Sequence, residues 1–460
     1  MNAFAAILAA PLVSVCAQAG PPIQADERVG ELLQRVVVVH SIDPQDDDDF
    51  SDLQPLKKII GDARLVTLGE QSHGDGAVFY AKARLIKFLH QEMGFDVLAW
   101  ESGMFDCREV DRALRDPAKK MDQIARLGIF PIWTYSAQVA PTLEYVRSTL
   151  ASETPIETCG FDHQFSAGAA SAWPAATIAF FDKADPALMP EDIRESLTSG
   201  MQKAFGRTQE HQPTPHDIEA VMAQWKRIPA LMDEHADALK KAHGADEFTF
   251  MRRCADDAVV SCRSLLEFLA SQNAAERKAT DNNTRDQRMA ENLIWLVNER
   301  YKDRKIIAWM ATMHAVHDVQ KIKSPAGIGP DIYQGVINCG TASHKAIGEK
   351  MYTIGFTSAD GKAGNVWAKQ GWSIQAPSTG SLDDLCLQSG EPFLFIDFKS
   401  LPADHWLRQP MVSRPLGYAE MLATEGGWPQ QVDAMMYIQT MFPSTREDAL
   451  PPYARTRRDS

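Results

Sequence analysis

The sequence predicts an α/β protein with a central, mostly parallel sheet flanked by helices and a helical subdomain inserted into the chain. Three observations predict it. Short apolar β runs alternate with segments of helical period. Ionisable residues stand just past the ends of those runs, as Glu70 and His73 follow Leu65-Val66-Thr67-Leu68 and Glu101 follows Asp96-Val97-Leu98-Ala99-Trp100. Residues 175–280 carry almost nothing but helical periodicity, as an insertion between strands would. In open α/β sheets, sites lie outside the carboxyl ends of the strands, so Glu70, His73 and Glu101 are expected to share one crevice.

Taken in order, the chain opens with an apolar stretch from Phe4 to Val15 and an A-x-A-like cleavage site, Ala17-Gln18-Ala19. This reads as a signal peptide over residues 1–19, although it has no Lys or Arg, and places the protein outside the cytoplasm, secreted or periplasmic. The first part of the core is then expected over 20–174. It begins with a helix from Glu27 to Val38 and a solvated acidic loop, Asp46–Asp49. Phe79, Ala83, Ile86 and Leu89 give a helix closed by Gly94-Phe95. Helices follow over Cys107–Leu127 and Thr142–Leu150, and Ile156-Glu157-Thr158-Cys159 is a strand running into Asp162-His163. Within the insertion, Ile218, Val221, Met222, Trp225, Ile228, Met232, His235 and Leu239 form a stripe, read as core. The second part of the core, 281–442, opens with a helix from Thr284 to Glu299 under a Thr284/Gln287 capping box. Strands follow at Lys305–Trp309, Met351–Phe356, Phe393–Phe398 and Val432–Ile438. The polar, basic tail 443–460 is expected to be disordered.

Composition bounds the function. The formal net charge of −14 argues against a nucleic-acid surface, and no run of about 18 or more apolar residues follows the leader, so no membrane span is expected. Of seven cysteines, six lie beyond the leader with no Cys-x-x-Cys pair. A zinc ribbon or redox motif is thus not expected, and the cysteines are read as buried small hydrophobes or one or two disulfides.

Gly69-Glu70-Gln71-Ser72-His73, the Gly94-Phe95 turn and the strand ending in Glu101 resemble, in order and spacing, the erythromycin esterase family of hydrolases. A second segment, Arg285-Asp286-Gln287-Arg288-Met289-Ala290-Glu291-Asn292, is similar to that family's Arg-Asp-x-x-Met-Ala-x-Asn. The resemblance runs from about residue 30 to 442. It implies cleavage of a macrolide's cyclic ester by water without an obligatory metal or other cofactor, with a small-molecule ester as partner. His73 is then the general base, oriented and polarised by Glu70 and Glu101. There are two departures. The family's arginine nine residues after the motif histidine is Lys82 here, with Arg84 nearby, and Lys lacks the planar fork of Arg. The family's His-Asn-x-His is Ala311-Thr312-Met313-His314, which keeps only the second histidine.

The residues themselves allow the same chemistry. Histidine titrates near neutrality and can take a proton from water and return it to a leaving group, and a carboxylate fixes its tautomer. With no Gly-x-Ser-x-Gly elbow, a serine nucleophile has no support, Ser72 included. Glu70, His73, Glu101 and His314 are therefore the expected catalytic set. Lys82, Arg84, Asp162, His163 and His317 are the expected substrate-side set. Two other readings stand beside this one. The first is a metal-dependent hydrolase using Glu70, His73, Glu101 and His314 as open-site ligands, although no His-Glu-x-x-His motif is present. The second is a non-catalytic binding protein whose site is eroded at Ala311.

Overall fold

In the main sheet the short apolar runs of the sequence are realised strand by strand. The computed structural model describes residues 27–46, 49–205, 214–270, 280–324, 333–368 and 370–446. The expected leader, and all of the expected tail beyond residue 446, lie outside the described residues. Eight strands form the sheet: β1 (Val36–Val38), β2 (Leu65–Leu68), β3 (Val97–Gly103), β4 (Glu157–Asp162), β5 (Ile306–Trp309), β6 (Met351–Thr357), β7 (Phe393–Asp397) and β8 (Ala434–Ile438). Their order is β1-β7-β8-β6-β2-β5-β3-β4. The run from β8 to β4 is parallel, and β7 joins β1 and β8 antiparallel. Buried parallel strands are covered on both faces and so read as continuous apolar runs. β2, β3, β5 and β6 are buried at every position.

Alternate residues of these strands feed two cores. Val66, Leu68, Leu98, Trp100, Ile307 and Trp309 pack with helix α1 (Gly76–Met93). That helix ends where Gly94 takes a left-handed backbone at φ 72°, a conformation glycine adopts without steric cost. Leu65, Val97, Ala99, Ile306 and Ala308 face the other way and pack with the helices between β4 and β5. These helices run over Trp173–Asp182, Glu191–Phe205, Pro215–Trp225, Arg227–Glu234, Ala236–His243 and Ala245–Ala270. The expected stripe is core: Ile218, Met222, Trp225, Ile228, Met232 and Leu239 are all buried. The helical stretch is a covering layer on one face of the sheet.

Several boundaries differ from expectation. The first helix stops at Leu33, and Val36–Val38 instead forms edge strand β1, where β-branched residues fit the pleat. The expected helix over Cys107–Leu127 is two, α2 (Met104–Leu114) and α3 (Met121–Gly128). Phe130 precedes a further short helix, α4 (Pro131–Thr134). Helix α5 (Thr280–Trp295) begins a turn before Thr284, so Thr284 is interior and no capping box forms there. The cysteines 107, 159, 254, 262, 339 and 386 are free and buried, as small hydrophobes. Among the described residues no helix is long and apolar enough to cross a membrane.

Candidate active site

The order β2-β5-β3-β4 decides what meets at the carboxyl edge. β2 and β3 are consecutive in the chain but not neighbours, because β5 lies between them and pairs with both. The segment after β5 therefore emerges between the segment after β2, which carries Glu70 and His73, and Glu101 near the end of β3.

Glu70 is fully buried and accepts three hydrogen bonds. Its Oε1 lies 2.7 Å from His73 Nδ1 and takes the indole N–H of Trp133 at 2.9 Å. Its Oε2 takes Lys82 Nζ at 2.5 Å. Glu70 thus holds Nδ1 of His73, and the imidazole Nε2 is left as the basic nitrogen. Burial pulls the His73 pKa down, but the Glu70 hydrogen bond and charge, helped by Glu101, outweigh it and the net shift is upward. The His73 side chain is 38% exposed while that of Glu70 is 0%, so the histidine is the part of this dyad that meets solvent.

Lys82 was expected on the substrate side. It is instead fully buried, with its ammonium on Glu70, 3.3 Å from the carbonyl of Met310 and 4.3 Å over the Trp309 ring. Burial lowers its pKa, and the Glu70 charge opposes that.

The second half of the site is built on Glu101. Its Oε1 takes Arg285 at 2.8 Å and lies 3.3 Å from His314 Nε2, while its Oε2 takes the Ala311 N–H at 2.8 Å. So Glu101 makes these bonds with Arg285 and Ala311, and among the described residues Glu70 is the carboxylate bonded to His73. Arg285 also grips Asp162 through Nε and Nη2 at 2.9 and 2.6 Å. Asp162 is fully buried, accepts the Gln164 N–H at 3.1 Å and, although burial raises its pKa, is held well below the usual carboxylate range by Arg285. His314, on the short helix α6 (Thr312–Ala315), places Nδ1 2.7 Å from Asp286 Oδ1, which also takes the Cys339 N–H at 2.8 Å. Burial pulls the His314 pKa down, yet the charges of Asp286 and Glu101 and the Asp286 hydrogen bond carry it up to about 9. Burial raises the Glu101 pKa, and His314 and Arg285 bring it below its ordinary value.

The remaining expected residues lie elsewhere. Arg84 forms a buried two-pronged pair with Asp52 at 2.9 and 2.8 Å and donates to the carbonyls of Ser41, Asp46 and Asp49. It pins the acidic loop and does not join the cluster. His317 is buried, stacked on His344 at 3.8 Å, and bonded to Thr353 at 3.1 Å. Burial and the neighbouring His344 bring its pKa down to about 3. His163 is buried, with Nδ1 3.4 Å from Asp162 Oδ1, and lines a small cavity with Phe105, Cys254 and Asp257. A larger cavity of about 540 Å³ lies on the helical layer among Lys226, Arg252, Asp256 and Arg288 and holds none of the cluster.

Trp133, Arg285 and Asp286 belong to the site but were not singled out for chemistry in the sequence. The Arg285-Asp286 pair stands inside the quoted helical segment, and that was the one available signal. Among the described residues no three His, Cys, Asp or Glu side chains are grouped to hold a metal ion. The positive charge beside the carboxylates comes from the chain itself. Glu70, Glu101, Asp162 and Asp286 face Lys82, Arg285 and His314.

A family model described as erythromycin esterase matches residues 90–449. The chain belongs to the erythromycin esterase family. The match includes Glu101, Arg285 and His314 and begins after the Gly69–His73 segment. The erythromycin esterase type II of Escherichia coli is 23% identical over 381 residues, covering 78% of this chain and 86% of that one. YbfO of Bacillus subtilis, which bears a provisional hydrolase name, is 26% identical over 415 residues, covering 85% and 87%. Among solved structures, an erythromycin esterase mutant in its open conformation superposes with a TM-score of 0.65 at 16% identity, covering 90% of this chain and 99% of that one. A Bacillus cereus protein superposes with a TM-score of 0.71 at 21% identity, covering 92% and 100%. The family is one of hydrolases, and the solved structures show that the chain shares their fold.

Proposed function

We propose that the protein hydrolyses an ester or lactone of a bulky natural product with water activated by His73. One observation carries this reading. His73 is anchored through Nδ1 to a buried carboxylate while its ring is 38% exposed, the arrangement a general base needs to meet water from the crevice. Nε2 takes a proton from water as the water oxygen bonds to the substrate's carbonyl carbon. Arg285 and the His314 imidazolium, 3.4 Å apart, supply the positive charge for the tetrahedral oxyanion. When the carbon–oxygen bond to the alcohol breaks, the His73 imidazolium returns the proton to that oxygen. Acid and alcohol are released, and His73 is neutral again.

Glu70 fixes the tautomer and stabilises the imidazolium formed in each cycle. Lys82 and Trp133 hold Glu70 in place, and Glu101 and Asp162 hold Arg285. The test is a screen over lactones and aryl esters in water enriched in heavy oxygen, read by mass. The expected product is an acid carrying one label from solvent. An acid released without label, or no cleavage across the screen, contradicts the proposal. We also propose that the chain acts after export. Intact mass of material from the native host is expected to start near Gly20, and a mass that includes Met1 to Ala19 contradicts export.

A further inference from the structure

We propose that Trp367 and Trp372 form an aromatic flank of the His73 site that takes a broad apolar ring face of the substrate. The proposal rests on the ester-hydrolase reading and adds to it the part of the substrate that does not react.

Of the ten tryptophans, Trp100, Trp133, Trp173, Trp225, Trp295, Trp309 and Trp428 are buried, whereas Trp367 is 50% and Trp372 45% exposed. The other exposed large hydrophobics among the described residues are Leu33 at 37% and Ile337 at 45%. Single exposed apolar residues are ordinary. Two indoles five positions apart on one hairpin are not, because indole is the largest apolar side chain.

The hairpin is also tied to the catalytic turn. Its strands, Asp360–Ala363 and Trp372–Ser373, pair antiparallel with Ala363 opposite Trp372. Gly364 donates its N–H to the carbonyl of Gly74, the residue after His73, at 3.2 Å. A Cβ on Gly74 would come 2.8 Å from the carbonyl carbon of Gly364 and 2.9 Å from Asn365 N, so the two turns are in backbone contact. Ser444 N–H adds a second bond to the same Gly74 carbonyl at 2.9 Å. Past the contact, Asn365 Oδ1 accepts from the N–H groups of Trp367 and Ala368 at 3.0 and 3.1 Å. That fixes the turn from which Trp367 projects.

His73 is the exposed member of its dyad, and the hairpin meets the backbone at the very next residue, Gly74. Exposed indoles add little to the core. A flat ring face laid on them removes apolar area from water on both partners, and tryptophan is enriched among the residues that dominate such contacts.

The test compares p-nitrophenyl acetate with p-nitrophenyl cyclohexanecarboxylate on the full chain and on Trp367→Ala, Trp372→Ala and the matching Phe variants. The ratio of kcat/KM, bulky over small, is expected to fall about tenfold in each Ala variant. The change should sit in KM, and Phe should restore most of it. Binding of the uncleaved anilide of cyclohexanecarboxylic acid, read by calorimetry, is expected to weaken by a similar factor. An unchanged ratio, or an anilide affinity equal in parent and Ala variants (undetectable in both included), overturns the flank. If the parent binds the anilide through these tryptophans and cleaves no ester, the flank stands and the hydrolytic reading falls.

Discussion

The two histidines of the site have the same first contact and different second ones. Each places Nδ1 2.7 Å from a carboxylate oxygen, His73 on Glu70 and His314 on Asp286. Glu70, however, divides its charge with Lys82 and Trp133. His314 has Asp286 on one nitrogen and Glu101 3.3 Å from the other, and two carboxylates around one imidazole bring its pKa to about 9. The pKa is raised in both halves, by one carboxylate's hydrogen bond and charge, helped by Glu101, for His73 and by two carboxylates for His314. The lesson is that a histidine–carboxylate pair names no role until the carboxylate's other partners are counted.

Breaking the base half has the largest expected effect. His73→Ala should lower turnover by about 10²–10⁴, the usual worth of a general base, with the circular-dichroism spectrum unchanged. Full activity in that variant would remove His73 from the mechanism. Breaking the cationic half comes next. Arg285→Met should cost roughly 10²–10³ in kcat, as the loss of an oxyanion donor does, and steady-state kinetics on any cleaved ester would read it. A loss confined to KM would make Arg285 a binding residue only.

Lys82→Met tests the partner that sets the halves apart. Lys82 and Glu70 both have 0% side-chain exposure, and breaking a buried pair by removing one partner costs roughly 3–5 kcal/mol. Urea unfolding should show that loss. The less shielded Glu70 should also raise the His73 pKa further, so the acid limb of the pH–rate profile moves to higher pH. An unmoved limb would mean that Lys82 does not tune His73.

How much of this was legible in the sequence follows from distance along the chain. Glu70 and His73 are three residues apart just past an apolar strand, so their pairing is local and readable, and so is the position of Glu101. Arg285 meets Glu101 across 184 positions and Trp133 meets Glu70 across 63. Those meetings depend on β5 entering between β2 and β3, an order no local period encodes. Lys82 was readable as a place in the motif but not as a direction. It sits on the buried face of α1, and only the packing of Trp309 and Met310 above it turns the ammonium onto Glu70. Most of the strands were legible because buried parallel strands are unbroken apolar runs. The edge strand Val36–Val38 was not, since three β-branched residues following a helix carry too little signal.

Smaller effects sharpen the comparison. Asp286→Asn removes one charge beside His314, so its pKa should fall by roughly two units and the alkaline limb of the rate should move down with it. That costs about tenfold at pH 8. An alkaline limb left in place would contradict His314 as the cation. Dialysis against EDTA should leave the rate within about twofold, since Arg285 and His314 already supply the positive charge that a Lewis acid provides in metal-dependent hydrolases. Loss on chelation with recovery on Zn²⁺ would reassign Glu70, His73 and His314 as ligands.

The most direct test is a site-resolved NMR titration of the two imidazoles, assigned with His73→Ala and His314→Ala. His314 is expected to stay protonated through neutrality and to titrate near pH 9. His73 is expected to titrate above the ordinary histidine value, and the proposed roles require it to lose its proton before His314 does. The same ordering predicts a rate that rises as His73 loses its proton and falls as His314 loses its own. Two histidines titrating together near the ordinary value, or His73 titrating above His314, would contradict the division of roles.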